Sequence, residues 1–233
     1  VKDKEMTKFL GLAGAMVPAG MRQLVVDLIK DKWVNVIVTT GANVVHDLIE
    51  AFGGKHYKGT STADDSKLRA RKINRIYDIF LPDSNFILLE KEILKIFDRL
   101  EKKYLSIREL LTEIGKQIKD ENSILKTAAK YNVPIFCPAL SDSILGLHIW
   151  LYTQEKELRI DAFKDTHNLI EICYNSEKAG AILLGGGVPK NFILQAMLVT
   201  PKGGYDSVIQ ITMDRAEAGG LSGAKLEEAI SWG

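Results

Sequence analysis

Cysteine is scarce in this sequence, with only Cys137 and Cys173 among 233 residues. The two do not form a CxxC spacing and no histidine pattern accompanies them, so neither a disulfide framework nor a zinc site is indicated. Both lie among apolar neighbours. We therefore predict two buried free thiols in a protein of a reducing compartment, and no bound metal.

Long apolar runs and an excess of either charge are also absent. No stretch approaches the roughly 20 apolar residues of a membrane-spanning helix, and the first residues do not resemble a signal peptide. Acidic and basic residues leave a formal net charge of only +1, so no basic surface for nucleic acid is indicated. We expect a soluble, cytoplasmic protein with neither a membrane nor a nucleic acid as partner.

What the sequence does contain is a regular alternation of short β-branched runs and amphipathic helices, which is typical of a parallel sheet with helices on its faces. The predicted strands are Val34–Thr40, Pro134–Cys137, Gly180–Leu184 and Ser207–Thr212. The predicted helices are Ala19–Lys32, Val44–Phe52, Leu89–Lys103, Ser106–Lys119, Glu121–Tyr131, Ile160–Asn175 and Lys190–Val199. The polar stretch Lys58–Lys72 is predicted to be a surface loop.

These elements predict an α/β protein with a Rossmann-like, doubly wound, mostly parallel sheet and helices on both faces. With 46% hydrophobic residues the chain can bury a substantial core, and residues 1–233 are expected to form a single domain. Because the chain opens without Met and ends on Trp232-Gly233 with no closing element, both ends are expected to be truncated.

Small and polar residues follow three of the predicted strands, as Thr39-Thr40-Gly41-Ala42, Ser141-Asp142-Ser143 and Gly185-Gly186-Gly187. Ligands of an open parallel sheet bind beyond the carboxyl ends of its strands, where glycine and a helix N-terminus suit a phosphate. However, no GxGxxG is present and no acid has the usual spacing for a ribose. The pattern alone leaves open a dinucleotide site and purely structural turns.

Several other polar and aromatic residues each have more than one interpretation. Asp142 is either a ligand for a ribose or an ammonium group, or the N-cap of the next helix. Lys190 is a candidate phosphate ligand or Schiff-base lysine, but a solvated surface lysine is the preferred prediction. His46 is predicted to be a surface histidine, and the histidines show no clustering. Trp33 and Trp150 are predicted to pack in the core or between helices.

The C-terminal stretch combines a glycine-rich loop, residues 219–224, with Glu228 and Trp232, which are four residues apart. On an α-helix this spacing puts a carboxylate and an indole on one face. Such a pair would attract an alkylammonium by charge pairing and cation–π attraction. The alternative is a terminal helix whose tryptophan packs into the core.

Taken together, these segments resemble deoxyhypusine synthase across almost the whole chain, in order and in spacing. The matching stretches are Phe9-Leu10-Gly11, Val36-Ile37-Val38-Thr39-Thr40-Gly41, Asn74-Arg75-Ile76, Cys137-Pro138-Ala139-Leu140-Ser141-Asp142, Leu184-Gly185-Gly186-Gly187-Val188-Pro189-Lys190, and Leu221-Ser222-Gly223 through Glu228-Ala229-Ile230-Ser231-Trp232-Gly233. The resemblance implies a Rossmann-like fold, usually a homotetramer with active sites at subunit interfaces.

The resemblance also implies NAD as the cofactor and indicates which residues bind the ligands. The positions that match the family's NAD contacts are Thr40, Gly41, Ala42, Asp142, Gly185, Gly186, Gly219 and Ser222. On the polyamine side, Glu228 and Trp232 match the family, whereas Asn191 stands where the family has a histidine.

The reaction implied by the resemblance is the NAD-dependent transfer of the aminobutyl group of spermidine to a lysine of the translation factor that becomes hypusinated. A lysine of the enzyme carries the four-carbon fragment as an imine, which burial favours by depressing the pKa of the amine. In the family that lysine directly follows the Ser-Trp-Gly of residues 231–233. No catalytic residue is therefore assigned within this sequence, and the natural protein is expected to continue.

Some positions depart from the family's pattern. Where the family has carboxylates, this chain has His46, Leu147 and Leu221, and the first glycine loop has Gly14, Ala15 and Pro18 in place of an asparagine and serines. Burying an unpaired ammonium against leucine is costly. These departures predict an archaeal or bacterial relative that takes a smaller or different amine.

Three functions are therefore open. The leading one is the aminobutyl transfer of deoxyhypusine synthase. The second is a homospermidine-synthase-like transfer to a free diamine, and the third is a catalytically inactive NAD-binding subunit that pairs with an active paralogue.

Overall fold

The computed structural model describes the backbone of residues 3–232 and the side chains of residues 3–231. In chain order the strands are β1 (Met6–Leu12), β2 (Val36–Thr39), β3 (Tyr57–Lys58), β4 (Ile73–Ile76), β5 (Ile79–Pro82), β6 (Tyr104–Ser106), β7 (Ile135–Phe136), β8 (Arg159–Asp161), β9 (Lys178–Leu184) and β10 (Ser207–Ile211).

The α-helices alternate with these strands. They are α1 (Arg22–Lys30), α2 (Gly41–Ala51), α3 (Asp65–Ala70), α4 (Asp83–Asp98), α5 (Ile107–Gln117), α6 (Ile124–Tyr131), α7 (Ile144–Thr153), α8 (Ala162–Tyr174) and α9 (Gly187–Leu198). A π-helical turn, Val17–Met21, leads into α1, and 3₁₀-helical segments at Ala216–Ala218 and Leu226–Trp232 follow β10.

The central sheet is parallel throughout, with the strand order β10-β9-β1-β2-β7. Numbered by their sequence within this sheet, the strands follow the 3-2-1-4-5 order of a doubly wound fold when counted from β7. Leu12 at the end of β1 is in register with Thr39 of β2 on one side and Leu184 of β9 on the other. The α/β prediction is thus confirmed, and the chain reverses its direction of winding between β1 and β9.

Helices cover both faces of this sheet because successive strand residues point to opposite sides. Leu10 and Ile37 belong to one apolar cluster, with residues of α1, α2, α4, α5 and α6. Phe9, Val36 and Val38 belong to a second cluster, with residues of α8 and α9. Strands buried on both faces explain why the β2 region reads as a continuous apolar run.

The structure also contains elements that the sequence prediction missed. The middle strand, β1, was not predicted, because Thr7 and Lys8 interrupt its apolar run. The stretch Lys58–Lys72 is not simply a loop: it contains α3, whose N-cap Asp64 accepts from the N–H groups of Ser66 and Lys67. It ends beside β4, which forms a small antiparallel sheet with β5 and β3.

Predictions about individual core residues had mixed outcomes. Cys137 and Cys173 are free and buried as predicted, and burial, with a smaller effect from Asp165, raises the pKa of Cys137 to about 12. Trp33 and Trp150, predicted to be packed, are instead 46% and 58% exposed. Of the helices in the described part of the chain, none combines the length and apolar character needed to cross a bilayer.

Candidate functional site

The carboxyl ends of β1, β2 and β9 open into one cavity of about 400 Å³ at the point where the winding direction reverses. Ligands of doubly wound sheets bind at this topological position. The cavity is lined mainly by small residues, namely Ala13, Gly14, Ala15, Thr39, Thr40, Gly41, Ala42, Ala139, Asp142, Gly187, Val188, Pro189 and Ser222.

One wall of the cavity is fixed by Asn43, a buried residue in the first turn of α2. Its Oδ1 accepts from the N–H of Val17 at 2.9 Å, and its Nδ2 lies 3.2 Å from the carbonyl oxygen of Leu12. Thr40 adds a second tie, since its Oγ1 donates to the carbonyl oxygen of Gly14 at 2.6 Å. Two side chains at the start of α2, those of Thr40 and Asn43, therefore hold the loop that follows β1.

The opposite wall is formed by the turn after β9 and the C-terminal segment, which we define as residues 212–232. The backbone of Ser222 runs directly against Gly186, so that a Cβ atom at position 186 would overlap Ser222 Cα. Only glycine permits this approach. Ser222 lines the cavity as a result, although it follows Gly186 by many residues in the sequence.

Two helix N-termini contribute to the cavity. Helix α2 begins at Gly41, with Thr40 as an N-cap that accepts from the N–H of Asn43 at 3.3 Å, and α9 begins at Gly187 without a side-chain cap. The first N–H groups of a helix have no intrahelical partner, and they carry a partial positive charge. Two such ends beside small residues suit a diphosphate group, which needs close backbone approach.

Most of the residues predicted to bind the cofactor converge on this cavity. Its lining includes Thr40, Gly41, Ala42, Asp142 and Ser222. Asp142 is exposed, and the N-cap of α7 is its neighbour Ser143, whose Oγ accepts from the N–H of Gly146 at 3.1 Å. The N-cap interpretation of Asp142 is therefore wrong.

The three remaining glycine predictions fall at different distances from the cavity. Gly186 does not line the cavity itself, but it contacts Ser222, which does. Gly185 is tied to the sheet, since its N–H donates to the carbonyl oxygen of Ile211 at 2.8 Å. Gly219 ends the 3₁₀ turn Ala216–Ala218 with φ near +70° and does not line the cavity.

Of the residues predicted for the polyamine side, Asn191 and Glu228 do not line the same cavity. Asn191 is half-buried in α9, and Glu228 is exposed in the segment Leu226–Trp232. This segment is a 3₁₀-helix with three residues per turn, so residues four apart do not share a face as they would on an α-helix. The α-helix on which the shared face of Glu228 and Trp232 was predicted does not form here, and the Trp232 side chain, on which that prediction also depends, lies outside the described residues.

Lys190 is not the solvated surface lysine that was predicted. It is 3% exposed, and its Nζ donates to Gln210 Oε1 at 3.0 Å, to the carbonyl oxygen of Leu221 at 3.2 Å and to that of Ala224. Burial lowers the pKa of Lys190, and the charge of Glu228 partly offsets this effect. The three bonds use all three N–H groups of a charged ammonium.

His46, predicted to lie on the surface without a histidine neighbour, is buried beside His56. Its Nδ1 is 2.8 Å from His56 Nε2, and His56 Nδ1 is 2.8 Å from Glu50 Oε1. Burial, together with repulsion from His56, lowers the pKa of His46 to about 4. Among residues 3–232 no group of three histidine, cysteine or acidic side chains is arranged to hold a metal ion.

Sequence reasoning did not single out Asn43, which holds the first wall of the cavity. Its signal was a polar amide in an otherwise apolar helix start, directly after the Thr-Thr-Gly turn. A buried polar side chain at such a place requires hydrogen-bond partners, so it indicated a fixed turn.

Comparison with known proteins gives a consistent result. The family model of deoxyhypusine synthase matches residues 1–233. A protein of Methanosarcina acetivorans named "Probable deoxyhypusine synthase 1" is 58% identical over 231 residues, which are 99% of this chain and 73% of the relative. A "Probable deoxyhypusine synthase" of Methanothermobacter thermautotrophicus is 46% identical over 234 residues, covering 100% of this chain and 75% of that protein.

A solved structure supports the fold independently. The crystal structure titled "putative deoxyhypusine synthase" from Entamoeba histolytica superposes with a TM-score of 0.70 and covers 99% of this chain and 76% of its own. The two sequences are 23% identical, so this likeness concerns the fold alone.

Proposed function

The chain belongs to the deoxyhypusine synthase family, and from that premise we propose that it is an NAD-dependent transferase that moves the aminobutyl group of spermidine to a lysine of the hypusine-containing translation factor. The observation that carries the proposal is the convergence of Thr40, Gly41, Ala42, Asp142 and Ser222 on one cavity at the switch point of the sheet. We further propose that the described chain acts as one domain, because both apolar clusters pack on the same sheet.

NAD fits the residues of this cavity. The N-termini of α2 and α9 would hold its diphosphate, and the absence of side chains at Gly41 and Gly187 would let the backbone approach it. The Asp142 carboxylate is free to accept hydrogen bonds from ribose hydroxyls. When bound, NAD accepts a hydride from the polyamine.

On the polyamine side, Asn191 and Glu228 are the described residues that the proposal assigns to the substrate, together with Trp232. Glu228 would attract an ammonium group, and its charge already acts on Lys190. Leu147 and Leu221 are 52% and 44% exposed, so neither forms a closed apolar wall in the described chain. Spermidine is therefore retained as the proposed donor.

A homotetramer is part of this proposal. Helix α7 is apolar around most of its circumference, and its outer residues Leu147, Trp150 and Leu151 are each about half exposed. A helix apolar on all sides is normally covered. A second copy of the chain is the proposed cover, and a cytoplasmic location is proposed because both cysteines are free thiols.

The proposal is tested by incubating the full-length protein with NAD, the translation factor and spermidine labelled in its aminobutyl group. Label is expected on the translation factor, dependent on NAD. Asp142→Ala should reduce the transfer, whereas Asp31→Ala, at an exposed position after α1, should not. Label on free diamine alone would favour the homospermidine-like alternative, and label on neither product would favour the inactive subunit. Repeating the assay with a shorter triamine tests the donor.

A further inference from the structure

The C-terminal segment, residues 212–232, is joined to the rest of the molecule by few polar contacts. Among the described residues, the hydrogen bonds that cross this boundary are all donated by Lys190 or Gln210. Lys190 Nζ donates to the carbonyl oxygens of Leu221 and Ala224, and Gln210 Nε2 donates to that of Ser222 at 2.9 Å. The segment's own bonds are local turns.

Both donors are anchored in the fold. Lys190 lies in the first turn of α9, and Gln210 lies in β10. Lys190 Nζ is 3.0 Å from Gln210 Oε1, and Gln210 Nε2 also donates to the carbonyl oxygen of Gly185 at 2.9 Å. The side chain of Gln210 is therefore hydrogen-bonded to Lys190, to the turn after β9 and to the C-terminal segment.

The arrangement of Lys190 is energetically demanding. A buried ammonium must recover its lost hydration through hydrogen bonds, and here its partners are two carbonyl oxygens and one amide oxygen. Two of these three partners belong to the C-terminal segment. If the segment moved away, Lys190 would lose two of its three hydrogen-bond partners. The free energy of keeping this ammonium group buried therefore depends on the position of the segment.

The position of the segment determines one wall of the cavity. Ser222, which Gln210 holds by its carbonyl oxygen, lines the cavity beside Gly187. Neither Lys190 nor Gln210 is among the lining residues. Their effect on a ligand would therefore pass through the segment that they hold.

We propose that Lys190 and Gln210 form a latch that seats the C-terminal segment against the Gly-Gly-Gly turn and thereby completes the NAD cavity. Both are positioning residues. The inference rests on the proposed function only for the identity of the ligand. The segment exists in a closed and an open state, and NAD binds the closed state, in which Ser222 is in place.

This two-state behaviour predicts a specific kinetic pattern. When the binding-competent state is only partly populated, apparent affinity falls by the populated fraction, but saturating ligand restores that state. Loss of a hydrogen bond from a charged donor shifts such an equilibrium by roughly tenfold or more. Breaking the latch should therefore raise KM for NAD about tenfold and change kcat at saturating NAD less than about threefold.

The test uses the full-length protein and three variants: Lys190→Met, Gln210→Leu and, as a matched control, Lys225→Met. Lys225 is an exposed lysine of the same segment. Hydrogen–deuterium exchange without ligand is measured first. We expect the amides of residues 219–229 to exchange about ten times faster or more in both latch variants, with β1, β2 and α9 unchanged, and no change in the control.

The outcomes separate the latch from the proposed function. Unchanged exchange in both latch variants, or equally faster exchange across the central sheet, would overturn the latch. A fall in kcat with no change in KM for NAD would also overturn it. If the segment is released as expected but wild-type protein binds no NAD, the latch stands and the proposed cofactor is wrong. If Lys190→Met does not fold, Gln210→Leu carries the same test from the strand side.

Discussion

The two walls of the strand-end cavity are built in different ways. The wall formed by β1, β2 and α2 is held by Asn43 and Thr40, whose side chains bond the backbone of the adjoining loop. The wall that carries Ser222 is an irregular segment, and its polar ties to the described fold come from Lys190 and Gln210. One side of the cavity is therefore fixed by side chains at the start of α2, whereas the position of the other side depends on the proposed latch.

This difference has a functional meaning for a dinucleotide site. The fixed wall presents the N-terminus of α2 in one arrangement, so a diphosphate meets preorganised donors there. A movable wall lets a large ligand enter and then closes on it. Substitutions in the fixed wall should therefore lower the free energy of unfolding. Substitutions in the wall that carries Ser222 should instead weaken ligand binding.

The largest expected effect on stability is that of Asn43→Ala. The substitution leaves the buried N–H of Val17 without its partner, which costs about 1–3 kcal/mol. It also removes one hydrogen bond to the carbonyl oxygen of Leu12, which keeps its bond from Thr39, so about 1 kcal/mol more is lost and the free energy of unfolding falls by about 2–4 kcal/mol in all. Urea unfolding measures this change. Asn175→Ala, at an exposed position, should stay within about 0.5 kcal/mol. A loss below about 1 kcal/mol for Asn43→Ala would mean that this wall is not fixed as described.

A paired substitution compares the two walls directly. An added Cβ at Gly41 would overlap the Ser143 side chain at the start of α7, and one at Gly186 would overlap Ser222. Gly41→Ala would force apart α2 and the start of α7, which pack against each other, so it should lower the free energy of unfolding by about 1–3 kcal/mol. Gly186→Ala should displace the movable segment, leave the melting temperature almost unchanged and weaken NAD binding. Equal losses of stability in both variants would remove the distinction.

A pH-dependent effect should come from His46, which is buried one turn beyond the cavity end of α2. In the unfolded chain its pKa is near 6.5, whereas burial and His56 lower the folded value to about 4. The unfolded state therefore binds more protons between these values, so this contribution to stability is complete above pH 6.5 and is lost as the pH falls to about 4. The full change is roughly 3 kcal/mol.

The measurement for His46 is urea unfolding at several pH values between 4 and 7. His46→Asn should flatten the dependence relative to wild type in this window, while His167→Asn, at an exposed position, should leave it unchanged. If wild type and His46→Asn have parallel curves, the histidine is not held in its neutral form by burial.

The sequence was sufficient for four of the five strands of the described central sheet and for most of the helices, because buried parallel strands such as Val36–Thr39 are continuous β-branched runs between amphipathic helices. It failed for β1, where Thr7 and Lys8 lie at the end of the strand that carries fewer buried side chains. It also failed for Lys190 and His46, since their burial depends on residues outside their own helices: Gln210, Leu221 and Ala224 for the lysine, and His56 for the histidine.

The candidate site was predictable to a similar extent. Residues in the turns that follow strands, such as Gly41 after β2 and Asp142 after β7, were found because topology alone brings strand ends together. Ser222 was placed by the family resemblance, and its contact with Gly186 depends on how an irregular segment folds back. The interpretation of the spacing of Glu228 and Trp232 assumed an α-helix, whereas the backbone there forms a 3₁₀-helix.

The most direct test of the central claim is a calorimetric titration of the full-length protein with NAD, comparing wild type with Asp142→Ala. We expect saturable binding to wild type and an affinity about tenfold or more lower in the variant, because a carboxylate that accepts hydrogen bonds from the ligand is removed. No detectable binding to wild type, or equal affinity in both proteins, would contradict the assignment of this cavity to NAD.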